Sequence, residues 1–200
     1  ALMGSPTNAD ASSVYAKASV VTVAGDTYLA ATFKLRKDLG VPLRATRSGT
    51  PVFIDRPFLD ADLHLSLGLI EPHLMLGFSG GRKLVAPGLA FEATIKTLHS
   101  SRFMRDPRTC EGSVEDNPLH AELLEIARMA RHDFLVDVAL TRTRGLAGVW
   151  AGQPEAAHGA GMAQVRKAMY QPIPLAADAV ITTGAGYPLD LTFYQSVKGI

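Results

Sequence analysis

From Leu63 to Leu69 the chain alternates strictly: Leu63, Leu65, Leu67 and Leu69 fall on one side, His64, Ser66 and Gly68 on the other. A period of two is the mark of an extended strand. A glycine-rich segment and then longer stretches with helical period follow it. This succession of short apolar runs and long amphipathic ones constrains the chain to an α/β fold. Residues 18–23, 50–54, 134–140 and 146–150 read as further strands, the last two joined across Gly145. Helices are expected over residues 92–101 and 154–169, and from Asn117-Pro118, where an N-cap precedes a proline at the first helical position. In that last helix Leu119, Leu123, Ile126, Ala127 and Ala130 form one stripe. Pro172 and Pro174 punctuate the chain, and residues 179–183 open a new strand–loop–helix unit. A larger α/β domain is therefore expected over residues 1–170, with the start of a second over 171–200.

Composition narrows the classes. A chain of 200 residues, 47% hydrophobic, can bury one sizeable core. A formal net charge of +1 gives no footprint for nucleic acid or an acidic membrane surface. One cysteine, Cys110, excludes an internal disulfide framework and a cysteine zinc cluster, and its polar loop suits a bystander thiol. No apolar run approaches the ~20 residues that span a bilayer, and residues 1–25 show no secretory leader. The default expectation is a cytoplasmic protein. Opening on Ala1 and stopping at Ile200 inside what reads as a helix, the chain reads as a fragment.

The chemistry-bearing stretch is Glu71-Pro72-His73-Leu74-Met75-Leu76-Gly77-Phe78-Ser79-Gly80-Gly81-Arg82-Lys83, followed by Pro87-Gly88 and His99. Glycines 77, 80 and 81 let successive amides point into one concavity and hold an anion, with Lys83 beside it as point charge or amine nucleophile. The spacing is not that of a Walker loop, and a tight turn carrying a solvated lysine reads equally well. His73 follows a strand at the end where open α/β sheets bind ligands, and histidine can act there as a general acid/base. His99, near a helix end, can bind a metal or simply favour the helix C-terminus as a cation. His64 reads as structural and Trp150 as core, whereas His120, His132 and His158 read as solvated histidines on or beside helix surfaces. Glu71 and Asp190 suit supporting, capping or turn roles alike.

Taken together, His73-x9-Lys83-x15-His99 with Phe-Ser-Gly-Gly-Arg-Lys and Pro-Gly between resembles the nickel-dependent lactate racemase family. The resemblance continues through Asn117-Pro118, Gly148-Val149-Trp150-Ala151-Gly152, Ala177-Asp178, Gly186-Tyr187-Pro188-Leu189-Asp190 and Tyr194-Gln195-x-x-Lys198. It implies a racemase or epimerase of 2-hydroxy acids working with a nickel pincer nucleotide, a pyridinium mononucleotide that grips nickel through a ring carbon and two sulfurs. On that resemblance Lys83 is a tether or neighbour of the cofactor, Ser79, Gly80 and Gly81 help cradle it, and His99 supplies the remaining nickel ligand. His73 is implied as one of two acid/base groups, with Gln195 and Lys198 holding the substrate's polar groups. A hydride would leave C2 of the 2-hydroxy acid and return to the other face of a 2-keto acid. The implied partners are a small 2-hydroxy acid and the cofactor-synthesis enzymes.

The family's second acid/base histidine lies in an upstream Gly/Thr-rich His-Arg motif, after an Asp-Thr-Arg-Pro segment; here it would fall near Thr7, yet residues 1–45 contain no histidine. That departure keeps two alternatives open: a non-catalytic nickel- or nucleotide-binding fragment or divergent homologue, and a family enzyme acting on a sugar acid. A metal hydrolase fits less well, because no carboxylate accompanies the histidines at ligand spacing.

Overall fold

The structure is a computed structural model and describes residues 15–23, 26–34, 40–183 and 186–187. Two antiparallel strands come first, β1 (Tyr15–Val23) and β2 (Asp26–Lys34), with Tyr15 opposite Lys34 and Val23 opposite Asp26. A second short pair joins β3 (Gly40–Pro42) to β4 (Phe53–Asp55), which runs into α1 (Arg56–Leu59). The expected strand over residues 50–54 is displaced toward Asp55. Thr46 and Thr50 close a loop there, the Thr46 hydroxyl accepting the Thr50 N–H at 2.9 Å, so Thr50 cannot join a ladder.

The central sheet has the order β5 (Leu65–Leu69), β8 (Phe134–Leu140), β9 (Leu146–Gly152). β5 and β8 are parallel, β8 and β9 antiparallel. The crossover from β5 to β8 carries the small hairpin β6 (Pro72–His73) and β7 (Gly77–Phe78), a 3-10 turn over Gly81–Leu84, and three helices. These are α2 (Glu92–Leu98), α3 (Ser101–Met104) and α4 (Pro118–Met129); α5 (Pro154–Met169) follows β9. The helix expected over residues 92–101 is split because Ser100 adopts an extended backbone that starts α3.

α4 forms where its sequence says it should. Asn117 Oδ1 accepts the N–H groups of Leu119 and His120 at 3.0 and 3.1 Å, a side-chain cap on two of the helix's unpaired donors. Its apolar stripe, Leu119, Leu123, Ile126, Ala127 and Ala130, is buried against Val52, Ile54, Leu76, Val85, Leu98 and Phe103. Each large aliphatic side chain buried there contributes roughly 1.5–3 kcal/mol, so Leu123→Ala should cost about 2–5 kcal/mol. α5 covers the other core, where Ile70, Phe78, Ala139 and Val165 pack with Met162 and a half-buried Trp150.

The leucine face of β5 points outward. Leu65 and Leu67 are exposed, Leu67 at 71%, while His64 is buried at 1% and Ser66 and Gly68 are turned inward. Alternation defines two faces without saying which one packs. Here the inward face is fixed by its neighbours. Gly68 lies opposite Asp137, and His64 Nδ1 meets the Asp133 carboxylate at 2.8 Å beside the Phe58 ring. After α5 the chain from Gln171 to Thr183 forms no helix or strand, so the strand expected over residues 179–183 is not seen. No helix among the described residues is long and apolar enough to cross a membrane.

Candidate functional site

β5 ends at Leu69, and the chain then folds back on itself in the β6–β7 hairpin. Ser79 makes the closure: its hydroxyl donates to the Leu69 carbonyl at 2.7 Å and accepts the Glu71 N–H at 2.8 Å, and its own N–H donates to the Glu71 carbonyl. His73 therefore sits on a two-residue strand opposite Gly77, not in an open loop. Its Nδ1 accepts the N–H groups of Met75 and Leu76, both at 3.3 Å, which places the proton of a neutral ring on Nε2. Asn117, while capping α4, also donates from Nδ2 to the Met75 carbonyl at 2.8 Å and pins the loop beside His73.

Beyond Ser79 the backbone enters the left-handed region at Gly80 (φ 77°) and Gly81 (φ 52°), then winds into the 3-10 turn. Consecutive side chains of that turn part company. Arg82 is buried and reaches back to donate to the Leu76 carbonyl at 2.7 Å, whereas Lys83 is half-buried and faces a cavity. The cavity, about 160 Å³, is lined by His73, Met75, Lys83, Leu98 and His99, with Leu123 of α4 among its apolar walls. His99 is the residue that closes α2, and its Nδ1–H donates to the Ile95 carbonyl at 2.8 Å. With Nδ1 engaged, Nε2 carries the lone pair, the arrangement a metal-binding histidine takes when its second nitrogen is held by a carbonyl.

Three of the residues singled out by sequence, His73, Lys83 and His99, thus meet around one cavity although 26 positions separate the outer two (99 − 73). Ser79, Gly80 and Gly81 do not line it. The Ser79 hydroxyl is occupied in the hairpin closure, and the two glycines form the turn behind Lys83. Gln195 and Lys198, like Asp190, lie outside the described residues. Glu71 is exposed and contributes backbone bonds to the hairpin.

Behind the turn lies a polar cluster that the sequence reading missed. His120 and His158 are buried and His132 is half-buried, so the expectation of solvated histidines is overturned. Each is enclosed where α4 and α5 close over the sheet. His158 Nε2–H donates to the Ser79 carbonyl at 2.8 Å, and His132 Nε2 meets the Ser66 hydroxyl at 2.6 Å. Burial, then the nearby Arg82 charge, pushes His158 down to about 3 and His120 to about 4. Arg82 itself falls to about 9 through burial, partly offset by Asp137. Asp137 is fully buried in β8, and loss of water raises its carboxyl to about 6. One signal for it was available: a lone carboxylate interrupting Phe134-Leu135-Val136-Asp137-Val138-Ala139-Leu140.

Residues 30–112 match the lactate racemase N-terminal domain family. The lactate racemase of Lactiplantibacillus plantarum (strain ATCC BAA-793 / NCIMB 8826 / WCFS1) is 39% identical over 153 residues, 76% of this chain and 36% of that protein. Over residues 30–112 the chain belongs to the lactate racemase N-terminal domain family. A lactate racemase from Thermoanaerobacterium thermosaccharolyticum is 37% identical over 156 residues, again 76% of this chain and 36% of the relative. The structure of the lactate racemase apoprotein from that organism aligns with a TM-score of 0.77 at 35% identity, covering 80% of this chain and 38% of the other. The chain therefore spans about a third of the length of the curated relatives it matches.

Proposed function

We propose that the chain contributes the cofactor and proton-exchange site of a racemase or epimerase of 2-hydroxy acids. The observation that carries the reading is the convergence of His73, Lys83 and His99 on one cavity. The expected cofactor is a nickel pincer nucleotide. The donor set suits it: His99 presents an imidazole lone pair at Nε2, and Lys83 brings an amine to the same cavity. Among the described residues no three His, Cys, Asp or Glu side chains group to hold a metal. That fits a soft metal whose other ligands come with an organic cofactor.

When bound, such a cofactor supplies a reversible acceptor for the hydride at C2. The chain's own residues bind, orient and move the proton. His99 holds the metal at Nε2, and Lys83 fixes or tethers the cofactor's organic part. With Nδ1 accepting two amide N–H groups, the neutral His73 ring can hold a substrate oxygen by donating its Nε2–H; exchanging the hydroxyl proton requires the Nδ1–H tautomer, whose free Nε2 takes the proton to give the imidazolium and returns it when the hydroxyl re-forms. The two 3.3 Å amide contacts at its Nδ1 are long, and giving them up costs little. Leu98, Leu119 and Leu123 wall the cavity with apolar surface, which strengthens charge interactions within it. Gln195 and Lys198 are proposed to hold the substrate's polar groups, and residues from 171 onward to begin a second domain.

The test is to produce the protein alongside the cofactor-synthesis enzymes and measure nickel by elemental analysis, the Lys83 adduct by intact mass, and racemisation by chiral chromatography over a panel of 2-hydroxy acids that includes sugar acids. Nickel with racemisation supports the reading. Nickel or nucleotide without racemisation favours a binding module, the alternative that the absence of histidine from residues 1–45 supports. An adduct that persists in Lys83→Ala places the tether on another residue.

A further inference from the structure

The turn that carries Lys83 is built around a carboxylate. Asp137 Oδ2 accepts the Gly81 N–H at 2.9 Å. A side chain at Gly80 would put its Cβ 2.6 Å from the same oxygen, and one at Gly68, opposite Asp137 on β5, would run into Oδ1. The chain thus uses glycine on two sides of Asp137 to admit the carboxylate and lets the backbone approach it directly. On a third side, a Cβ at Gly81 would lie 2.5 Å from the His158 ring.

The charges around Asp137 come from the turn, α4, α5 and the end of the sheet. Arg82, two residues from Gly80, is buried with it and sets one N–H against the His158 ring at 3.3 to 3.4 Å. His158 Nε2 stands 3.9 Å from Asp137 Oδ2 and ties the Ser79 carbonyl. His120 lies beyond, coupled to Arg82 and Glu155, and His132 borders the roughly 80 Å³ cavity behind Arg82 together with Arg128 and Glu155. Asp137 Oδ1 and Arg82 Nε have no hydrogen-bond partner among the described residues. A buried carboxylate with one oxygen left without a partner is costly. Such costs are kept where they hold a functional group in place.

We propose that Asp137 is the positioning residue for Lys83: by holding the Gly81 N–H, with the Arg82 charge nearby and the neutral His158 ring beside it, it locks the Gly80-Gly81-Arg82-Lys83 turn so that Lys83 enters the cavity it shares with His73 and His99. The role of Lys83 in cofactor chemistry rests on the reading proposed above, but its placement by Asp137 does not. The same turn also fixes the cavity's far wall, because Arg82 ties the Leu76 carbonyl.

Trace acetylation of the cofactor-free protein with acetic anhydride, read by peptide mass spectrometry, gives the reactivity of Lys83 relative to Lys96 and Lys167. Asp137→Ala removes the acceptor, Asp137→Ser leaves a hydroxyl too short to reach Gly81, and Asp137→Asn keeps a carbonyl oxygen in reach. The ratio for Lys83 should rise on the order of tenfold in the Ala and Ser variants, the population change expected when a hydrogen bond to a charged acceptor is lost. Asp137→Asn should restore it to near the native value, and Asp137→Glu, for which Gly68 leaves no room, should not. If Asp137→Ala does not fold, Asp137→Ser carries the test. An unchanged Lys83 ratio in a folded Ser or Ala variant, or an Asn variant as altered as the Ser one, overturns the proposal. Because the readout needs no cofactor, failure of the nickel reading leaves this result standing, and failure here leaves that reading intact.

Discussion

The Nδ1–H of His99 donates to the carbonyl oxygen of Ile95, one helical turn back, at 2.8 Å. That single bond decides which ring nitrogen meets a ligand, because a neutral imidazole has one donor and one acceptor nitrogen. The acceptor, Nε2, belongs to the same ring that lines the cavity beside His73 and Lys83.

His99→Ala is therefore expected to lower nickel retention by more than the ~10–100-fold that follows loss of a ligand's supporting partner. Elemental analysis after dialysis checks it. Full nickel content in His99→Ala would move the ligand to another residue.

His73→Ala should behave differently. A general acid/base contributes ~10²–10⁴-fold to rate without holding the metal, so the variant should keep nickel and lose most racemisation. C2-deuterated substrate then tests whether hydride transfer is what remains slow. Loss of nickel together with activity would make His73 a ligand or a structural residue.

The legible part of this fold follows from local rules. The Asn117-Pro118 start of α4, its buried stripe and the Pro154–Met169 helix are short-range patterns, and the structure carries them. The three cavity residues were legible as well, but through a resemblance: as spacing alone, His73, Lys83 and His99 had ordinary structural readings. What failed depended on partners far along the chain. The two faces of β5 are legible in its alternation, but which of them packs is decided only where Gly68 comes to lie opposite Asp137 of β8. His120 and His158 look like helix-surface residues until the Gly80-Gly81 turn is placed against α5, 76 residues from Arg82 to His158. Burial of a polar residue is a property of its tertiary neighbours, and periodicity does not encode it.

Asn117 joins two jobs, the α4 cap and the anchor at Met75 beside His73. Asn117→Ala removes both, and the cap alone is worth typically ~1 kcal/mol. Urea unfolding should show a loss of about 1–3 kcal/mol, the upper end reflecting the Met75 carbonyl left without its partner. Asn117→Asp keeps the cap oxygens and loses the Nδ2 donor, so it should recover the helix but not the loop. A stability equal to the native protein in Asn117→Ala would show that neither bond matters.

The buried histidines set the direction of pH dependence. His158 at about 3 and His120 at about 4, both against an ordinary value of 6.5, bind protons in the unfolded chain that the folded one refuses. Their contribution is intact above pH 6.5 and is lost as pH falls toward 4 and then 3; His132, also lowered by burial, acts in the same sense. Asp137, raised from 3.8 to about 6, acts oppositely: the folded state holds its proton between those values, so its share of stability grows as pH falls through 6. Asp55, raised by burial as well, acts with Asp137, and the three histidines outnumber the two carboxylates. Stability from urea midpoints should therefore decline from pH 7 to pH 4, and His158→Gln, which keeps a donor but does not titrate, should flatten the slope by up to about 1.4 kcal/mol per pH unit. Asp137→Asn should steepen it, since it removes an opposing group. A slope unchanged in His158→Gln would mean that His158 is protonated alike in the folded and unfolded chains.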